Sequence, residues 1–418
     1  MYPAKVTPRH MIVIVVMSLL AACTPEQNAP AGHAQASDAA RWQVDTIPFL
    51  RIGVDGSAAT EFSHVVGLGK LSTGDWYVFD RGSNELRFYD HHGTFLKKIG
   101  RQGNGPGEFR YVLLAVARSD DHIYVYDSVL RRLTQVDPEG HVIDVTRVPD
   151  QPPQSSVLHP LGILDDQTFV WSSSKTPACA LDALLMDTIT YYQYDISRKP
   201  RRSSDPASPT DLVLITSTAG GARWGNSINV LGTCLATAVP FGAKPLAAVR
   251  DGNLYLLAAE ELLIRVLHVA SSREVAISEA VAKLPVSPEM REWIATLSPS
   301  NTRDEAGNAL AASVGSELYA KRLRETPLPD SMPLARQLVA DAAGYIWVEL
   351  TPPAASSVST WLVFAPGGQH AARVHLPNRF RALSIGHEYV AGVRLDDLDV
   401  ERIEVYSLSR SAEPSNAR

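Results

Sequence analysis

Basic and aromatic side chains stand just ahead of several strand-like segments of this sequence: His64, Arg110 with Tyr111, His159, Lys244, Arg336, and Arg379 with Arg381. If the segments converge, these cations form a locally basic funnel that concentrates anionic ligands. Other groupings offer less chemistry. The glycines from Gly100 to Gly107 lack the Lys-Ser/Thr ending of a phosphate loop, and Pro106 leads into another strand rather than a helix, so the stretch reads as a connector. His91-His92 occupies a turn where the next repeat has Pro138-Glu139, a solvent position. No His, Cys or acidic set falls at helix-borne zinc spacing, and no Gly-x-Ser-x-Gly elbow occurs. No catalytic residue, metal ligand or cofactor is therefore assigned. Asp80 and Asp127 close equivalent strands and read as turn caps.

The elements that must position the cations are visible as a repeat. Tyr77, Val78, Asp80, Leu86, Asp90 and Gly93 recur as Tyr124, Val125, Asp127, Leu133, Asp137 and Gly140, an offset of 47 residues from Tyr77 to Tyr124. Each unit reads as a four-stranded antiparallel meander: Val65 to Leu71, Trp76 to Asp80, Leu86 to Asp90 and Phe95 to Ile99 in the first. Echoes of the aromatic-Val core follow at Phe169-Val170, Tyr255-Leu256, Trp347-Val348 and Tyr389-Val390. The pattern predicts an all-β fold, a six-bladed β-propeller of four-stranded antiparallel blades over residues 42–410. A strand within Trp42 to Ile52 is expected to complete the last blade, Val400 to Leu408, closing the ring from both termini. A small helical insertion is expected at about 285–326. It would hold Ser287-Pro288 as a helix start, Met290, Trp293, Ile294 and Leu297 on a face that covers the blades, and a second stretch near 309–325. Between Phe169-Val170 and Tyr255-Leu256, Gly220-Gly221 reads as a loop.

These residues resemble the bacterial six-bladed propellers of the NHL-repeat type, many of them secreted or lipid-anchored. The resemblance rests on Gly-Asp-Trp-Tyr-Val-Phe-Asp at 74–80, Leu-Arg-Phe-Tyr-Asp-His-His-Gly at 86–93 and the run from Gly100 to Phe109. It implies a fold and an envelope location, and no activity.

The chain begins with Lys5 and Arg9 ahead of an apolar run, Met11 to Leu20, too short to span a bilayer stably. Leu20-Ala21-Ala22-Cys23 follows and resembles the bacterial lipobox. Residues 1–22 are thus expected to be a lipoprotein signal peptide, and Cys23 the lipidated, palmitate-bearing residue of a flexible tether, 23–41. Thr24 in place of Asp favours an outer-membrane site facing the periplasm. Residues 411–418 read as a disordered tail. Cys179 and Cys234, outside the cytoplasm, form a disulfide if they are close enough. With 39 Lys and Arg against 45 Asp and Glu the chain is acidic, which argues against a nucleic-acid partner. The expected function is that of an envelope-anchored module, membrane-bound through its lipid, that binds an anionic small molecule or glycan or scaffolds an envelope protein. The alternative is a lactonase-like hydrolase or lyase with a metal at the central channel, which wants carboxylates converging there.

Overall fold

A computed structural model of the chain describes residues 42–53, 60–149, 158–180, 183–197, 211–228, 233–258, 260–296, 321, 324–354 and 356–410. The expected leader, Cys23, the tether, the tail, Leu297 and nearly all of the second helical stretch lie outside the described residues.

The second strand of each repeat carries a continuous apolar run at its centre, because its two faces pack against different neighbours. Two short strands open the described chain, β1 (Trp42–Val44) and β2 (Leu50–Ile52), and the first full sheet follows: β3 (Val65–Lys70), β4 (Trp76–Asp80), β5 (Glu85–Tyr89) and β6 (Phe95–Ile99). All of β4 is buried. Trp76 and Val78 pack toward the last sheet, while Tyr77 and Phe79 pack toward the second. The second sheet is β7 (Val112–Ala117), β8 (Ile123–Asp127), β9 (Arg132–Val136) and β10 (Val142–Arg147). Gly93 and Gly140, at φ 85° and 86°, make the same tight turn in both repeats.

The third sheet departs from the expected four strands. It contains β11 (His159–Ile163), β12 (Thr168–Lys175), β13 (Leu184–Asp195), β14 (Val213–Ile228) and β15 (Thr233–Ala238). Gly220-Gly221 lies inside β14 and not in a loop; Gly220 is buried against Asp187, with no room for a Cβ. The fourth sheet is β16 (Leu246–Arg250), β17 (Asn253–Ala258), β18 (Leu263–His268) and β19 (Arg273–Ser278). Helix α1 (Pro288–Thr296) follows, with the Ser287 hydroxyl accepting from the Met290 amide as the N-cap. Ile294 is buried and Met290 half-buried, but Trp293 is 54% exposed, against the expectation that this face covers the blades. The fifth sheet is β20 (Ala335–Ala340), β21 (Ile346–Leu350), β22 (Val358–Phe364) and β23 (His370–Pro377). The sixth is β24 (Phe380–Ile385), β25 (Tyr389–Leu395) and β26 (Glu401–Arg410), completed by β1 and β2, which both pair with β26. The ring is closed by strands from both ends of the chain, as the sequence predicts.

Six hydrophobic clusters lie one between each pair of neighbouring sheets, and together they are the core. Trp76, Trp171, Trp347 and Trp361 are almost fully buried in them, and truncating one such ring costs about 3–5 kcal/mol. The innermost strands β3, β7, β11, β16, β20 and β24 touch in sequence and return from β24 to β3. They run in one direction around the axis. Gly67 in β3 meets Ala115 in β7, and Gly162 in β11 meets Val249 in β16. The Gln337 side chain in β20 both donates to and accepts from the backbone of Ala382 in β24. The starts of the inner strands therefore gather at one end of the ring, and their ends at the other.

Asp80 and Asp127 hold the entries to two inner strands. Asp127 Oδ2 accepts from the amides of Arg110 and Tyr111 while Oδ1 accepts from Val129 and Leu130. The carboxylate is wholly buried, so its removal strands four amides. Asp127→Ala is expected to lower the unfolding free energy by about 2–4 kcal/mol, read from the urea midpoint. A loss below about 1 kcal/mol would mean that these loops hold themselves.

Candidate functional site

Every residue singled out ahead of an inner strand sits at the strand-start end of the ring. His64 and the pair Arg110-Tyr111 directly precede β3 and β7; His159 opens β11; Lys244 precedes β16; Arg336 is the second residue of β20; Arg379 precedes β24 and Arg381 lies within it. The backbone of His64 is fixed by Asp80, whose Oδ1 accepts from the Ser63 and His64 amides at 3.1 and 3.0 Å. Arg379 adopts φ 62°, with its amide donating to Asn378 Oδ1.

The cations divide by their partners. Arg379 is paired with Asp399. Arg336 faces Glu349, a buried carboxyl raised above its usual range by desolvation, with Arg336 and a hydrogen bond from Ser359 working the other way. Arg110 Nε donates to the neutral Asn104 Oδ1 at 2.9 Å, and among the described residues neither it nor Lys244 has a carboxylate partner. Lys244 is exposed beside Gly221.

Arg381 joins the first and last blades. Its Nη2 donates to the Val65 carbonyl at 2.7 Å and lies 3.8 Å from Glu401, whose Oε2 accepts from the Val65 amide at 2.7 Å. Burial lowers its pKa below the usual arginine range; Glu401 opposes this and the positive charge of Arg81 adds to it. Yet 46% of the side chain is open to water. Arg81, in turn, stacks 4.5 Å from the Tyr111 ring. His159 shows the same combination: exposed, with its pKa lowered by desolvation alone.

Arg81 and Glu401 are the members that the sequence reading missed. β4 runs opposite to β3, so the turn after it, which contains Arg81, falls at the same end as the inner-strand starts; considering those turns would have found it. Insertions collect there as well. β13 and β14 extend past Lys175, the end of β12, and β14 pairs with β15 beyond it. The segment carrying α1 links the outer strand β19 to the inner β20 on this side too. Phe241, just before β16, meets Trp293 of α1 at 6.4 Å between rings.

The remaining expectations place as follows. Gly100 to Gly107 is an inter-blade connector, pinned by Arg132 to the carbonyls of Asn104, Gly105 and Glu108. His91 and His92 are exposed in the β5–β6 turn. Cys179 is disulfide-bonded, and the side chain of Cys234, in β15, lies outside the described residues. Among the described residues no three His, Cys, Asp or Glu side chains gather into a group able to hold a metal. The carboxylates at this end are engaged: Asp80 and Asp127 by backbone amides, Glu401 by Val65 and Arg381. Of two cavities, one of about 190 Å³ lies beside Arg118 and Tyr124, and one of about 210 Å³, beside Pro352 and Pro353, lies at the strand-start end between the fourth and fifth blades.

Residues 64–181, the first two sheets and part of the third, match the model of the DUF5128 family, described as a 6-bladed beta-propeller. This chain is a six-bladed β-propeller. Solved structures similar to it include a member of the DUF4221 family from Bacteroides vulgatus, at TM-score 0.48 and 10% identity, covering 89% of this chain and 98% of that one. A candidate exported protein from Bacteroides fragilis matches at 0.46 and 11%, covering 89% and 96%. Virginiamycin B lyase from Staphylococcus aureus matches at 0.39 and 10%, covering 88% and 99%. At this level of likeness none of them bears on the activity of the propeller. No curated protein matches the chain.

Desolvation holds His159 neutral at pH values where an unfolded histidine, with a pKa of about 6.5, takes up a proton. The unfolded chain then binds more protons, so this residue subtracts stability as pH falls below about 6.5. NMR titration is expected to give a His159 pKa below 6.5, and His159→Gln to flatten the stability loss between about pH 6.5 and 5. A His159 pKa at or above 6.5 would contradict the desolvation of this ring.

Proposed function

We propose that the propeller is a binding module of the bacterial cell envelope, anchored through lipid on Cys23, whose strand-start mouth receives an anionic small molecule or glycan. One observation carries this reading: Arg381, with 46% of its side chain open to water, lies close enough to Arg81 for that positive charge to oppose its own, with Glu401 3.8 Å away. An incoming anion relieves that repulsion in a lined funnel where water screens it poorly. Arg110 and Lys244 add uncompensated charge on the rim, although the chain as a whole is acidic. The insertions around the same opening supply the surface that would set specificity.

The test uses the intact protein with two probes, inorganic tripolyphosphate and an oligogalacturonate, followed by calorimetry at several salt concentrations. Binding by at least one is expected, weakening as salt rises, with Arg381→Met reducing the affinity about tenfold or more. Binding by neither probe, or equal binding by the Arg381→Met protein, would contradict the reading. For the anchor, the protein expressed in bacteria is expected to enter the detergent phase on Triton X-114 separation, and Cys23→Ser to leave it in the aqueous phase. Detergent partitioning that survives Cys23→Ser would remove the lipid from the account.

A further inference from the structure

The opposite end of the channel carries a second group of side chains. β3 ends on Lys70, whose ammonium lies 5.7 Å from the ring centroids of both Trp76 and Tyr389. Those rings meet edge to face at 5.2 Å, Trp76 from the first blade and Tyr389 from the sixth. The Tyr389 hydroxyl is 3.1 Å from Ser384 Oγ on the inner strand of the sixth blade. The side chain of Lys70 is exposed, and among the described residues no carboxylate pairs with it.

We infer that Lys70, Ser384 and Tyr389 form a second anion site, at the strand-end mouth of the channel, suited to a small oxyanion, either a carboxylate or a phosphate. The ammonium supplies the charge. Two hydroxyls bonded to each other use only one of their protons, so the other is available to an acceptor. The Trp76 and Tyr389 rings flank the ammonium and reduce its hydration on that side, which strengthens its attraction for an anion. Arg250 ends β16 at the same end of the ring, in the fourth blade. Its Nε is buried without a hydrogen-bond partner, although Asp251 stands 3.5 Å away. Its positive charge also acts on the Tyr389 hydroxyl, opposing the rise in pKa that burial causes. The carboxylate of Asp251 is the nearby charge that a ligand would have to tolerate, and it belongs to the far side of the ring from Lys70.

Trp76 lies against both Lys70 and Tyr389, which gives the site its own reporter. Intrinsic tryptophan emission of the intact protein is followed during titration with acetate, phosphate or chloride at constant ionic strength. A saturable change with acetate or phosphate and none with chloride is expected, and whichever anion saturates identifies the ligand chemistry. Tyr389→Phe, which keeps the ring and removes only the hydroxyl, is expected to weaken the response several-fold. Lys70→Met should weaken it tenfold or more, while Lys98→Met, an exposed first-blade lysine paired with Glu85, leaves it unchanged. Trp76→Phe should abolish the emission change while anion-induced thermal stabilisation persists. Absence of a saturable change, a response to chloride equal to the others, or an unchanged midpoint in Lys70→Met would overturn the inference. Lys70→Met, Tyr389→Phe and Trp76→Phe alter the strand-end mouth alone, so their effects separate this site from the strand-start one.

Discussion

The closing blade is tied to its neighbour by one buried ion pair. Arg410, the last described residue, places its guanidinium 4.6 Å from the Trp42 ring and 5.2 Å from the Tyr345 ring. Its Nη2 donates to Asp341 Oδ2 at 2.8 Å and to the Gly386 carbonyl at 2.7 Å. Asp341 is buried and also accepts from Trp347 Nε1 and from the amides of Ala343 and Tyr345. The first strand, the last strand and the turns of the fifth and sixth blades thus meet on one ion pair. Removing either partner of such a pair leaves an uncompensated buried charge, at a cost of about 3–5 kcal/mol. Because each blade's core is half supplied by its neighbours, an open ring would expose Trp76 and Val78 on one side and Val393 and Ile403 on the other. The mouth is only a set of six strand starts at a fixed radius, and that radius exists because the ring is closed.

The two ends of the channel differ for a topological reason. A blade with an even number of strands begins and ends on the same side, so every connection between blades passes over the strand-start mouth. Additional chain, when it is inserted between blades, lands there. The extra strand β15 does not break the rule, since it pairs only with the part of β14 that projects past the blade. At the other end the short turns are bound to one another: the Ser72 amide to Asp121, Arg118 to the Asp166 carbonyl, the Gly252 amide to the Leu164 carbonyl, and the Ala342 amide to the Ile385 carbonyl. One end is a variable opening and the other a bound rim in which Lys70, Ser384 and Tyr389 sit at the junction of the first and last blades.

What could be read from the residues follows from the same physics. Phe169-Val170, Tyr255-Leu256, Trp347-Val348 and Tyr389-Val390 were legible because a strand buried between two neighbours must be apolar on both faces. The third blade was not. Leu184, Met186 and Leu214 are exposed on strands that project from the body, so neither alternation nor a continuous apolar run marks them, and Gly220-Gly221 carries the signature of a loop although it lies in a strand where Asp187 leaves no room for a side chain. Placing the cations at one end was possible because inner strands share a direction. Their pairing was not: Arg379 meets Asp399 across a turn, and Arg381 meets Glu401 from a different strand of its blade, contacts that depend on register. Arg81 escaped because attention to inner-strand starts omits the turns between second and third strands.

Closure is tested most directly by native-state hydrogen exchange at Asp45 and Phe49. These amides donate to the carbonyls of Ser407 and Val405, joining the first strands to the last. The account predicts that they exchange only through opening of the ring, with protection approaching that of Val78 and Val125 in the buried second strands. Exchange orders of magnitude faster, while Val78 and Val125 remain protected, would show that the N-terminal strands fray freely and that the blades hold their radius without them.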